Sequence, residues 1–144
     1  MYLCNLMTLK MESNKELELA WRCVEQTGTH LFLTGKAGTG KTTFLKQLKE
    51  RSPKRMIVLA PTGVAAINAG GVTIHSFFQL PFAPYVPGME MADFKEFRLS
   101  KEKINLIRSM DLLVIDEISM VRADLLDLID KSMRRYRDRN KPFG

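Results

Sequence analysis

The densest chemical signal in the sequence is the stretch Gly35-Lys36-Ala37-Gly38-Thr39-Gly40-Lys41-Thr42. It spells a glycine, four open positions and then Gly-Lys-Thr, the pattern of a loop that wraps a triphosphate in backbone N–H groups. Glycines at 35, 38 and 40 remove side chains that would hold phosphate oxygens at a distance. The loop empties into a helix N-terminus, where unpaired N–H groups and the helix dipole favour an anion. Lys41 offers a point charge to the β- and γ-phosphates, and the Thr42 hydroxyl is an oxygen ligand of the kind Mg²⁺ prefers. The nucleotide contacts expected are therefore Gly35, Lys36, Ala37, Gly38, Thr39, Gly40, Lys41, Thr42 and Thr43.

A second signal is Asp116-Glu117, which ends the apolar run Leu112-Leu113-Val114-Ile115. Alone, two acids after a strand read as a solvated strand end. Downstream of a phosphate-binding loop, they read as a metal carboxylate and a base. Asp116 is assigned to Mg²⁺ through its water shell, and Glu117 to the proton of the attacking water. A base so placed contributes roughly 10²- to 10⁴-fold in rate.

These residues need elements to position them. Leu31-Phe32-Leu33 reads as a buried strand leading into the loop, and a helix is expected from Lys41 to Arg51 with Phe44, Leu45 and Leu48 inward, stopped by Ser52-Pro53. Upstream, Leu17, Ala20, Trp21 and Val24 mark one face of a helix capped by Asn14 and ended by Thr27-Gly28. Met56-Ile57-Val58-Leu59-Ala60 is a second buried strand; it runs into Pro61-Thr62-Gly63 and a small-residue helix, Val64 to Ala69, closed by Gly70-Gly71. Prolines 81, 84 and 87 mark an irregular loop, after which Ser100 caps a helix carrying Ile104, Leu106 and Ile107. A long amphipathic helix follows, with Val121, Leu125, Leu128, Ile129, Met133 and Tyr136 on its apolar face. The basic tail from Arg134 to Lys141 reads as a solvated helix end. Strands joined by helical crossovers make a parallel sheet, so the expected class is an α/β P-loop NTPase fold.

Composition agrees with one globular domain: 144 residues, 45% apolar and 26% charged, with a net charge of +6. That basic balance is compatible with nucleic acid without requiring it. The two cysteines, Cys4 and Cys23, have no zinc or disulfide spacing. No apolar run has the length of a bilayer span and the first ten residues lack a signal-peptide pattern, so a cytoplasmic protein with no membrane partner is expected. Residues 1–13 read as a tail and 14–144 as the domain.

Between the two chemical motifs lie Leu59-Ala60-Pro61-Thr62-Gly63-Val64-Ala65-Ala66 and Gly71-Val72-Thr73-Ile74-His75-Ser76-Phe77-Phe78. Together with Phe32 to Thr43 and Val114-Ile115-Asp116-Glu117-Ile118-Ser119-Met120, they closely resemble the Pif-type DNA helicases of superfamily one, relatives of RecD. The resemblance runs from about Leu31 to Gly144. It implies a RecA-like motor domain that couples ATP hydrolysis, with Mg²⁺, to 5′-to-3′ movement on single-stranded DNA and at duplex junctions. In the family, the segments matching Pro61, Thr62 and Gly63, and Thr73, His75 and Ser76, lie near the DNA strand. A hydroxyl and free N–H groups suit phosphate, and His75 and the aromatics after it suit base stacking. Phe78 is expected in the core. The adenine-reading glutamine usual in such helicases has no clear counterpart; Gln26 is the nearest candidate.

The family also carries a further strand ending in Gly-Asp, lying between the loop strand and the Asp-Glu strand, and a second RecA-like domain with arginines that reach the γ-phosphate. Residues 1–144 carry neither, so the expectation is apolar edges in mid-sheet, a monomer that binds nucleotide weakly, and negligible turnover without those parts. Two other functions fit the same motifs: a module that uses ATP only to order its loops, and a RecD-like subunit of a nuclease complex.

Overall fold

Leu17, Ala20, Trp21 and Val24 recur at helical spacing, and they form the covered side of α1 (Lys15–Gln26). The structure is a computed structural model that describes residues 15–80 and 99–144, and the chain divides into two compact units, Met1–Ser52 and Pro53–Gly144. The Asn14 cap, the N-terminal tail and the loop with Pro81, Pro84 and Pro87 lie outside the described residues.

In the first unit, Thr27 closes α1: its N–H and its hydroxyl both donate to the Cys23 carbonyl, at 3.1 and 2.7 Å. The second helix, α2 (Lys41–Arg51), buries Phe44, Leu45 and Leu48 as its spacing requires. The two helices are joined by an edge-on contact of Trp21 with Phe44, ring centroids 6.1 Å apart, with the Arg51 guanidinium 6.0 Å from the Trp21 ring centre. The Ser52 hydroxyl donates to the Glu25 carboxylate. Trp21 is therefore a packing residue.

Leu31-Phe32-Leu33 does not form the expected strand. The segment is irregular, with Leu31 and Phe32 exposed. A strand that is apolar on both faces needs a ladder partner to hold it. Among the described residues of its unit there is no strand to pair with.

The second unit is built on β1 (Met56–Ala60), an unbroken apolar run whose last three residues are buried. It is followed by α3 (Gly63–Ala69), β2 (Val72–Thr73), α4 (Ile74–Phe78), α5 (Lys101–Ser109), β3 (Leu112–Ile115) and α6 (Ala123–Tyr136). The strand order is β2-β1-β3 and both pairings are parallel, with Leu59 opposite Val72 and Val58 opposite Val114. Gly70 ends α3 in the left-handed region at φ 62°, while its N–H and that of Gly71 return to the carbonyls of Ile67 and Ala66. Strand β2 and helix α4 occupy a stretch whose regular structure the sequence left undefined. Strand β3 stands at one end of this order and is half-buried throughout.

Leu59, Ile74, Ile107 and Ile129 are fully enclosed in the core of this unit. Each such side chain contributes about 1.5–3 kcal/mol relative to exposure. Helix α6 turns Leu128, Ile129 and Met133 inward as its period requires. In α5, Ile107 is buried, whereas Leu106 stands one position off that face and is exposed.

Two charged ties were not expected. Arg55 donates through Nε and Nη2 to the two carboxylate oxygens of Asp111, at 2.9 Å each, and Asp111 N–H donates back to the Arg55 carbonyl. This pair fixes the starts of β1 and β3. Arg137 belongs to the tail read as a solvated helix end, yet its Nη1 donates to the carbonyls of Ile107 and Met110, at 2.9 and 2.7 Å. The C-terminal carbonyls of α5 have no helical partners of their own, so a fixed fork of donors serves them well.

Candidate functional site

The phosphate-loop residues lie in the first unit. Gly38 and Gly40 take φ of 78° and 89°, a region that residues with a Cβ avoid, so these glycines are required by the backbone path itself. Gly35 leaves room for a neighbour instead: a Cβ there would meet the Thr39 Oγ1 at 2.8 Å and displace that side chain. That hydroxyl is engaged, donating to the Lys36 carbonyl at 2.8 Å. Lys41 opens α2, and its ammonium folds back over the loop to donate to the carbonyls of Gly35 at 2.6 Å and Lys36 at 2.9 Å. The first helical bond of α2 is Phe44 N–H to the Gly40 carbonyl, and no side chain caps the positions before it. The N–H groups of Lys41, Thr42 and Thr43 thus stand at an uncapped helix start beside a lysine, an arrangement that fits phosphate oxygens. Lys36, Ala37, Thr42 and Thr43 complete the loop, and all four are exposed. Gln26 is the exposed last residue of α1.

The remaining candidates lie in the second unit, and the parallel sheet gathers them. Every strand of a parallel sheet ends at the same edge, where such folds bind ligands. From β1 emerge Pro61, Thr62 and Gly63; from β2, Thr73 passes straight into α4 with His75 and Ser76; from β3 come Asp116 and Glu117. Both threonines cap helices. Thr62 Oγ1 accepts from Ala65 N–H at 3.2 Å and Thr73 Oγ1 from Ser76 N–H at 3.3 Å. In each the capping bond uses an oxygen lone pair, so the hydroxyl hydrogen is still a donor for a phosphate oxygen.

Asp116 continues the ladder through its N–H, which donates to the Leu59 carbonyl at 2.8 Å, and its Oδ1 accepts from Glu117 N–H at 3.0 Å. Glu117 then takes the left-handed region, φ 51° and ψ 43°, before a tight 3₁₀ turn over Ile118–Met120. A non-glycine residue held there costs about 1–2 kcal/mol. The turn breaks the strand direction at this residue and leaves Glu117 exposed at the sheet edge.

The aromatics after His75 are not available for stacking on bases. Phe77 and Phe78 are both buried and meet edge to face with centroids 5.0 Å apart, so the stacking expectation fails for them and holds open only for half-buried His75. The amphipathic pattern of α4 sets this: Ile74, Phe77 and Phe78 share its inner side. One contact had no signal in the sequence. The Lys103 ammonium, from α5, donates to the Ser76 carbonyl at 2.5 Å. The partners are 27 positions apart, and only the folded chain brings them together.

Comparison with known proteins places these features. The sequence profile of the PIF1-like helicase family matches residues 8–144. The ATP-dependent DNA helicase PIF1 of Homo sapiens is 37% identical over 146 residues, covering 97% of this chain and 21% of the human protein. The ATP-dependent DNA helicase Pif1 of Bdellovibrio bacteriovorus is 36% identical over 120 residues, covering 83% of this chain and 27% of that protein. Among solved structures, Pif1 of Bacteroides sp in complex with ADP-AlF4 superposes with a TM-score of 0.81 at 48% identity, over 90% of this chain and 29% of that one. Bacteroides Pif1 bound to ssDNA gives 0.78 at 48% identity, over 91% and 29%. The chain thus spans less than a third of the length of these relatives.

Proposed function

The chain belongs to the PIF1-like helicase family, and we propose that residues 14–144 form the first RecA-like ATPase domain of a 5′-to-3′ DNA helicase, preceded by a tail over 1–13. In this reading the loop from Gly35 to Thr43 wraps the phosphates of ATP, and the Lys41 ammonium exchanges its two carbonyl partners for phosphate oxygens. The Thr42 hydroxyl and the Asp116 carboxylate each serve Mg²⁺, which supplies neutralising charge at the phosphates. Among the described residues no group of three or more His, Cys, Asp or Glu gathers, so the ion depends largely on phosphate and water oxygens. Glu117 takes the proton of the attacking water, and its left-handed backbone sets where the carboxylate stands. Single-stranded DNA runs over Pro61, Thr62, Gly63, Thr73, His75 and Ser76, with the two threonine hydroxyls donating to phosphates.

The observation that carries this reading is that one sheet edge receives both the candidate DNA segments and the Asp-Glu pair. A strand of DNA moving at that edge can shift the turn that holds Glu117, and so couple to hydrolysis. The motor works as a monomer at single-stranded DNA and duplex junctions, with a second RecA-like domain of the parent protein; residues 1–144 alone bind nucleotide without appreciable turnover. ATP hydrolysis by the protein expressed from its complete gene tests the proposal. Stimulation by an unstructured oligothymidine, lost in Glu117→Gln with nucleotide binding kept, is the expected result. A Glu117→Gln protein that hydrolyses ATP as fast as the wild type would remove Glu117 as the base, and ATP binding without hydrolysis by the wild type itself would favour a module that uses ATP only to order its loops.

A further inference from the structure

The six residues assigned to the DNA path include no lysine or arginine. Yet affinity for a nucleic-acid strand rests first on cations that neutralise phosphates. We propose that Lys103 supplies one of them, as a direct phosphate contact beside Ser76; this inference rests on the reading of Thr73 to Ser76 as a DNA segment.

The geometry of α4 makes the place. Gln79 ends the helix in the left-handed region at φ 51°, and the N–H groups of Gln79 and Leu80 both return to the His75 carbonyl. The Ser76 carbonyl, which Leu80 N–H would otherwise reach, is served instead by Lys103 Nζ at 2.5 Å. That bond holds the ammonium at the main chain of Ser76, whose side chain is exposed. A lysine ammonium has three donors, and among the described residues that of Lys103 uses one, to the Ser76 carbonyl. Among the described residues no carboxylate forms an ion pair with Lys103. A phosphate beside Ser76 can therefore take a second donor of the same ammonium with no bond broken. The stem of Lys103 is half-buried, so its head starts from a restricted set of positions, which lowers the ordering cost of the contact.

The test is the salt dependence of binding. The protein expressed from its complete gene is titrated with a fluorescein-labelled oligothymidine over a series of potassium chloride concentrations, as wild type, Lys103→Gln, Lys103→Arg and Thr73→Val, each shown by thermal unfolding to be fully folded at the assay temperature. One lost phosphate contact on a single strand lowers the slope of log K against log salt by about 0.7. Lys103→Gln is expected to show that loss and Lys103→Arg to restore the slope. Weaker binding of Lys103→Gln at an unchanged slope would make Lys103 a prop for α4 and overturn the proposal. Wild-type binding by Lys103→Gln with weaker binding by Thr73→Val would overturn it while leaving the DNA segment in place. If Thr73→Val also binds as the wild type does, the segment reading fails and the inference fails with it.

Discussion

Replacing Gly71 by Ala puts a methyl group where the central strand already stands. The added Cβ would lie 2.2 Å from the Val58 carbonyl oxygen, 2.8 Å from its carbon and 3.0 Å from the Val58 Cβ. A carbon normally approaches a carbonyl oxygen to about 3.3 Å, so the backbones must part by roughly an ångström. Neither side yields easily. Val58 is in the buried half of β1, Leu59 beside it is wholly enclosed, and Leu59 pairs with Val72, the neighbour of Gly71. Moving Gly71 outward therefore pulls β2 away from β1, and with it Thr73 and the start of α4. Overpacking of a close-packed site costs about 1–3 kcal/mol, and a clash with backbone belongs at the upper end. With a urea dependence of about 1.5 kcal/mol per molar, a loss of about 3 kcal/mol lowers the unfolding midpoint by about 2 M. Gly63→Ala is the internal control: nothing lies within 4 Å of its added Cβ at the first position of α3, so no loss of stability is expected there. Urea unfolding of the two variants side by side is the assay. A Gly71→Ala protein within about 0.5 kcal/mol of the wild type would refute the close packing of β2 against β1.

Glu117→Gln keeps the side-chain length and removes the base, so single-turnover hydrolysis should fall by roughly 10²- to 10⁴-fold while nucleotide affinity stays near the wild-type value; a tenfold loss of affinity instead would place Glu117 among the binding groups. Gly40→Ala must hold φ near 89° with a Cβ present; a loss of about 1–2 kcal/mol in stability or a collapsed loop that no longer binds nucleotide is expected, read by urea unfolding and by calorimetric titration with ATP. Hydrogen bonds from the Arg55 side chain and backbone N–H hold the Asp111 carboxyl well below the usual carboxylate range. Because the unfolded chain binds that proton more readily, the contribution of the pair is complete above about pH 4 and is lost as pH falls toward the lower folded value. Asp111→Asn should flatten the acid limb of a stability-against-pH curve, and an unchanged limb would contradict the pairing.

The parts of the fold legible in the sequence were those whose signal is local. Met56 to Ala60 and Leu112 to Ile115 are unbroken apolar runs that end where the chemistry begins, and both form strands with those bounds. Helix α6 spells its inner face in its period. Leu31 to Leu33 carries the same kind of run and is irregular, because a strand depends on a neighbour that no run of three residues can specify. For the site, the glycines of the phosphate loop were legible in kind, but their reasons differ: backbone conformation at 38 and 40, crowding by Thr39 at 35. The capping bonds of Thr62 and Thr73 were within reach of sequence, since each stands just before a helix of small or apolar residues. The ties of Arg55 to Asp111 and of Lys103 to Ser76 were not, because both join residues far apart in the chain.

Whether the edge carrying Thr62, Thr73 and Asp116-Glu117 links a DNA strand to ATP hydrolysis is tested most directly by a steady-state ATPase rate. The protein expressed from its complete gene is measured with and without an oligothymidine, as the wild type and as Thr62→Val with Thr73→Val. The expected result is a wild-type rate that rises many-fold with the oligonucleotide and a double variant that keeps its basal rate while losing most of the rise. A wild-type rate indifferent to single-stranded DNA would contradict the link.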